Sequence, residues 1–264
     1  MDTFNSQDTA IIIGMVVVYI VITTWMSLRL RSKTSEQYMV AARTMPAFVV
    51  GILMMSEFIG AKSTVGTAQA AFESGFAASW SVIAAAIGFP LFGLLMARKL
   101  YNSGEFTISG FIAKKYGTST KLAVSIIMIY ALLLVNVGNY VSGAAAIATV
   151  MKINLPTAAF ITAIISTLYY VFGGLKSVAY MSILHTAVKY VGVMIVLYVA
   201  LNLTGGFTPV IQNMPEHYFT WDGAIGGSKI MAWIIGTVGA IFSTQFIIQA
   251  ISSTPNSKAA QNST

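Results

Sequence analysis

Seven apolar stretches, at residues 10–30, 46–72, 76–96, 122–151, 156–172, 178–203 and 230–251, run from one end of this chain to the other with only short polar breaks between them. A helix needs about 20 residues to cross the hydrocarbon core of a bilayer, so each stretch is a candidate crossing. The composition points the same way. Of 264 residues, 56% are hydrophobic and 9% charged, whereas an ordinary soluble domain has about a quarter of its residues charged. In hydrocarbon a segment must satisfy its own backbone N–H and C=O groups, which selects the helix. The expected fold is therefore an all-α polytopic membrane protein, with residues 1–264 forming one embedded unit.

Where the basic residues lie gives the expected orientation. Arg29, Arg31, Lys33 and Arg43, then Arg98, Lys99, Lys114, Lys115 and Lys121, then Lys176 occupy alternate connections, and positive loops stay cytoplasmic. The remaining connections hold only Lys152 and Lys229 among basic residues, beside Asp2, Asp8, Glu73, Glu216 and Asp222. The N-terminus is thus expected outside, residues 252–264 inside, and the plasma membrane is the expected location. The net charge of +7 is a topology signal on this reading, not a nucleic-acid surface. Acidic residues precede the first apolar stretch and no small-residue cleavage pattern follows it, so it reads as a retained helix. Residues 105–116 put Phe106, Ile108, Phe111 and Ile112 ahead of Lys114 and Lys115, the pattern of an interfacial helix.

With no cysteine in the sequence, thiol catalysis, disulfides and thiolate metal sites are excluded. No nucleophile beside a base, no metal-ligand cluster and no phosphate-cradling glycine loop is found. The chain is not expected to be an enzyme or to hold a cofactor.

The informative residues are those that do not belong in hydrocarbon: Glu57 and Lys62 in the second stretch, His185 and Lys189 in the sixth. A charge at the centre of a spanning helix costs about 2.5–3.5 kcal/mol, so these groups must face protein, water or each other. Glu57 and Lys189 both fall near mid-membrane and are expected to pair, either as a structural element or as part of a transport pathway. Lys62 lies a few residues outward, where it can serve the pathway or snorkel to the outer interface. Ser182, His185 and Lys189 are three and four residues apart and share one helical face; His185 is a proton relay or a hydrogen-bonded core residue. The run Gly60-Ala61-Lys62-Ser63-Thr64-Val65-Gly66-Thr67 weakens a continuous helix, so the second stretch is expected to be broken. Unwound carbonyls and helix ends at that depth can coordinate a cation or orient a charged solute group.

Ser35-Glu36-Gln37-Tyr38-Met39-Val40-Ala41-Ala42-Arg43 and Glu57-Phe58-Ile59-Gly60 resemble two segments of the solute:sodium symporter family, the loop before its first core helix and the segment past that helix's break. Residues 107–117 resemble its cytoplasmic helix, and residues 169–179, with Gly173-Gly174-Leu175-Lys176, its best-known signature. Thr244-Gln245-Phe246-Ile247-Ile248-Gln249, followed by Asn256-Ser257-Lys258-Ala259-Ala260, resembles the sixth core helix and the loop after it.

The resemblance implies two inverted five-helix repeats preceded by one extra helix. This chain would hold the extra helix, the first repeat and the opening helix of the second. It implies a secondary active transporter that couples sodium to a small organic solute by alternating access. The alternatives are a transporter-like sensory input domain and an inactive fragment. By position, half of a sodium site would fall on the carbonyls of Val50 and Leu53 and on Ser182. The solute surface would be built from Glu57, Phe58, Thr244, Gln245 and Phe246. Ser182 stands where the family usually has an acidic residue, His185 where it has a nearby glutamine, and Lys62 and Lys189 are additions. A fixed ammonium near a cation site can take sodium's electrostatic place or shuttle a proton, so proton coupling stands beside sodium coupling.

Overall fold

The structure of the protein, a computed structural model, describes residues 6–60, 62–223 and 225–264, with side chains described for all of these except residues 6–9, Lys62, residues 168–170 and Phe172. The described residues contain no strand. In chain order the α-helices begin with α1 (Ser6–Arg29), α2 (Ser35–Val40), α3 (Ala47–Phe58), α4 (Thr67–Ser74), α5 (Trp80–Phe92) and α6 (Arg98–Asn102). They continue with α7 (Ile108–Tyr116), α8 (Thr118–Met151), α9 (Leu155–Thr204), α10 (Phe207–Asn213), α11 (Gly226–Ser243), α12 (Gln245–Ser252) and α13 (Ser257–Asn262). Among the described residues, five stretches are long and apolar enough to cross a membrane: Ala10–Arg29, Ser63–Asn102, Thr118–Met151, Gly173–Thr204 and Gly226–Ser243.

None of the most apolar part of α8 is buried within the protein, and Ile126, Ile127, Ile129, Tyr130, Leu133 and Val135 are all exposed. A helix apolar on every side needs lipid or more protein around it. The fold is that of an all-α polytopic membrane protein.

The chain divides into two units. The first comprises Met1–Met45 and Phe106–Met181. In it α7 packs on α8, and α1 touches α8. Thr34 caps α2 by accepting from the Gln37 N–H at 3.2 Å, and Thr107 caps α7 by accepting from the Gly110 N–H at 3.0 Å. Both hydroxyls satisfy donors that a helix start leaves unpaired. The Arg43 guanidinium lies over the Phe106 ring at 5.3 Å, and Lys114 and Lys115 occupy the last turn of α7.

The expected connection between the fifth and sixth stretches is condensed in the structure into one non-helical residue inside α9, Gly174 (φ 69, ψ −178). A Cβ on Gly174 would lie 2.5 Å from Ser32 Oγ and 3.0 Å from Tyr38 Cα. Only glycine fits there, on backbone conformation and on space. Ser32 Oγ donates to the Gly173 carbonyl at 3.1 Å, which ties the kink to the segment before α2.

The second unit comprises Pro46–Glu105 and Ser182–Thr264. Its most extensive helix pair is α5 with α11. The approach is close because Gly88 offers no side chain: a Cβ there would come within 2.6 Å of Ile241 Cδ1. The rings of Phe92 and Phe242 meet edge to face at 5.5 Å. Helix α12 packs on α3 and α6, and α13 on α3 and α6. Val50, Leu53 and Met54 of α3 and Ile247, Ile248 and Ile251 of α12 are all buried, so this apolar packing holds α3 and α12 together. Trp80 Nε1 donates to the Trp221 carbonyl at 2.8 Å and the Tyr218 hydroxyl to the Phe72 carbonyl at 2.9 Å, fastening the segment between α10 and α11.

Candidate functional site

The second unit contains two interrupted helices. Helix α3 ends at Phe58, and Ile59 (φ −87, ψ 73) leaves the helical region. Past Gly60 the chain resumes as a π-helical turn, Lys62–Gly66, that leads into α4. The second interruption is a single residue, Thr244 (φ −76, ψ 122), between α11 and α12.

The last carbonyls of a helix have no N–H from the next turn and concentrate the negative pole of the helix dipole. At the end of α3 most of them have identifiable donors. Met55 accepts from the Ile59 N–H at 3.0 Å. Phe58 accepts from Ser63 Oγ at 2.9 Å. Gly60 accepts from the Thr64 N–H at 3.2 Å, from Ser63 Oγ at 3.1 Å and from Thr64 Oγ1 at 3.0 Å. The Ser56 carbonyl is taken by a distant part of the chain: Lys189 Nζ of α9 donates to it at 2.8 Å, and to Ser56 Oγ at 3.3 Å.

That contact changes the expected pairing. The Lys189 ammonium docks on the main chain one residue before Glu57, and among the described residues no ion pair joins it to the Glu57 carboxylate. The two charges still lie close enough to interact electrostatically, as do Lys189 and His185. Glu57 is exposed, Lys189 and His185 are half-buried, and His185 has a partner of its own. Ser182 is buried and also partnered. One turn along from Ser182, Thr186 is only 8% exposed and its hydroxyl has no hydrogen-bond partner among the described residues. The side chain of Lys62 lies outside the described residues.

Val50 and Leu53 sit inside the uninterrupted run of α3, at 0% and 2% exposure. Their carbonyls therefore belong to the helical ladder in this structure, and the interruption comes after Phe58 instead. The physical reason is local. Val49 to Met55 is an apolar run that supports a helix, whereas Ser63 and Thr64 offer hydroxyls that compete for the carbonyls of Phe58 and Gly60.

Of the expected solute residues, Phe58 is half-buried with its ring edge-to-face on Phe89 at 5.0 Å. Thr244 is the interruption itself, and its Oγ1 donates back to the Ala240 carbonyl at 2.6 Å. Gln245 and Phe246 open α12, both half-buried. The α3 break and the α11–α12 break thus belong to one unit in which α3 and α12 are packed together. Sequence reasoning missed the Ser56 carbonyl, the orphaned hydroxyl of Thr186 and the interruption at Thr244. The adjacent hydroxyls Ser243 and Thr244 inside an apolar stretch were the available signal for the last of these.

Carbonyls, hydroxyls and an ammonium at interrupted helix ends can bind and exchange ions and polar solutes. The comparisons with known proteins bear on which. Residues 38–263 match the family described as the sodium:solute symporter family. Sodium/glucose cotransporter 4 of Danio rerio is 23% identical over 214 residues, covering 78% of this chain and 32% of that protein. High affinity choline transporter 1 of Homo sapiens is 25% identical over 244 residues, covering 88% of this chain and 41% of that protein. The sodium/glucose cotransporter of Vibrio parahaemolyticus is 22% identical over 194 residues, covering 70% and 36%. The chain spans between 32% and 41% of the length of these three relatives.

Proposed function

The chain belongs to the sodium:solute symporter family, and from that premise we propose that it is part of a secondary active transporter in which a sodium gradient drives a small organic solute across the plasma membrane by alternating access. The observation that carries this reading is the pair of interrupted helices in one unit, α3 and α11–α12, with polar and charged groups at the interruptions. Irregular backbone at bilayer depth is tolerated only beside protein or a water-filled cavity.

On this proposal Glu57, Phe58, Thr244, Gln245 and Phe246 contact the solute. Their amide, hydroxyl and carboxylate groups suit a small polar molecule, and two rings can close over it. Relatives named for glucose and choline transport support a solute of that size class. The cation half-site is assigned to the carbonyls of Val50 and Leu53 with the hydroxyl of Ser182. Because those two carbonyls are inside the α3 ladder, a cation reaches them when that turn opens. Seven crossings, the N-terminus outside and residues 252–264 inside complete the proposed topology, with the basic connections cytoplasmic.

The test is solute uptake by the full-length protein in sealed vesicles, screening small polar solutes with and without an imposed sodium or proton gradient. Accumulation above equilibrium only when a gradient is imposed supports symport. Uptake indifferent to both gradients contradicts it.

A further inference from the structure

Lys189 is a costly residue to keep at bilayer depth, and the structure gives it one well-defined task. Its ammonium lies 2.8 Å from the carbonyl and 3.3 Å from the hydroxyl of Ser56. That carbonyl is among the last four of α3, where helix geometry leaves acceptors unpaired and the dipole is negative. The next residue, Glu57, adds a carboxylate that interacts electrostatically with Lys189. A second observation marks the same face of α9. Thr186, three residues before Lys189, is more than nine-tenths buried, its hydroxyl unpartnered among the described residues, and such a buried hydroxyl is an oxygen ligand in waiting. Among the described residues, the charged and titratable groups around the ammonium are Glu57 on α3 and His185 on α9.

We infer that Lys189 is a tethered cation: its ammonium occupies the carbonyl end of α3 beside Glu57, and a mobile cation binding at this end must compete with it. The inference rests on the symport reading for its purpose, since a transporter gains from a site whose affinity for the driving ion is held down. Two like charges a few ångströms apart oppose each other strongly in a partly desolvated site. The Lys189 ammonium therefore lowers the affinity for sodium while holding α3 in place when no ion is bound. Sodium entering the half-site proposed above displaces the ammonium from Ser56, and Thr186, one turn beyond Ser182 of that half-site, supplies a further oxygen to the ion.

The experiment is a sodium titration of the purified full-length protein at constant ionic strength, reading the rise of the thermal midpoint that any ligand of the folded state produces. Lys189→Met removes charge and contact. Lys189→Gln keeps a donor for the Ser56 carbonyl without charge, and guards against loss of folding in the first variant. Lys189→Arg keeps the charge. Half-saturating sodium should fall by about tenfold or more in Lys189→Met and Lys189→Gln, and stay near the wild-type value in Lys189→Arg. Adding Thr186→Val to Lys189→Gln should raise it again. The same half-saturation in Lys189→Gln as in wild type overturns the inference, as does absence of a sodium response in both. Gradient-driven uptake by the wild type is scored separately, so the symport reading and the tethered-cation inference can fail independently.

Discussion

The ammonium of Lys189 in α9 reaches the carbonyl of Ser56 in α3 at 2.8 Å, 133 residues away along the chain. The contact places a fixed positive charge at the negative end of an interrupted helix, one residue before an exposed carboxylate. Neither residue type announces it: the acceptor is backbone oxygen. What the helix ends of the second unit do follows from how their carbonyls are satisfied.

The Glu57 carboxylate attracts any cation that approaches the end of α3. Glu57→Gln should raise the half-saturating sodium of the full-length protein by about tenfold, opposite in sign to removal of the Lys189 charge. The same thermal titration reads both. An unchanged value in Glu57→Gln would place the carboxylate outside the reach of the bound ion.

Ser63 Oγ serves the carbonyls of Phe58 and Gly60, and Thr64 Oγ1 serves Gly60 again. The double variant Ser63→Ala with Thr64→Val should lose about 1–2 kcal/mol, since each lost side-chain hydrogen bond is worth about 0.5–1.5 kcal/mol net. Differential scanning of the purified protein measures it. A variant as stable as wild type would mean that the interruption does not depend on these hydroxyls.

Both interruptions bear on how much of the site was legible in the sequence. The first was, because Gly60, Ser63, Thr64 and Gly66 crowd into seven residues of an otherwise apolar stretch. Its position was less so: the resemblance put the carbonyl donors at Val50 and Leu53, where the apolar run keeps the helix intact. Residues 230–251 read as one span because their hydropathy is continuous, and apolar composition carries no information on a single extended residue such as Thr244. Opposite charge pairs Glu57 with Lys189 on sequence alone, yet the ammonium donates to the Ser56 carbonyl instead. The all-helical membrane fold itself was visible in apolar length alone.

Thr244 Oγ1 donates to the Ala240 carbonyl at the interruption of α11 and α12. Thr244→Ala should cost about 1 kcal/mol in stability and weaken half-saturation for solute severalfold, while half-saturating sodium at α3 stays put. Equal changes in both would show that Thr244 acts through the fold and not through the solute.

In the first unit Gly174 has no tolerable replacement. Its φ of 69 and the 2.5 Å approach of Ser32 Oγ to a built Cβ predict that Gly174→Ala loses about 1–3 kcal/mol from backbone strain and crowding. Ser32→Gly should recover part of the loss by making room. Folded yield after extraction, followed by thermal midpoint, checks the pair; a fully stable Gly174→Ala would show that the kink is relaxed in the protein.

Gly88 makes an analogous demand between α5 and α11. Gly88→Leu has to displace Ile241, which is fully buried, and overpacking of this kind costs about 1–3 kcal/mol. Gly88→Ala should be much milder, because the nearest atom is the far end of the Ile241 side chain.

In the proposed symport, cation and solute cross together. The decisive experiment is simultaneous flux of labelled sodium and labelled solute through the full-length protein in the same vesicles. Each flux should require the other, and the two should keep a fixed ratio as the sodium gradient is varied. Solute flux that proceeds at the same rate without sodium movement would contradict it.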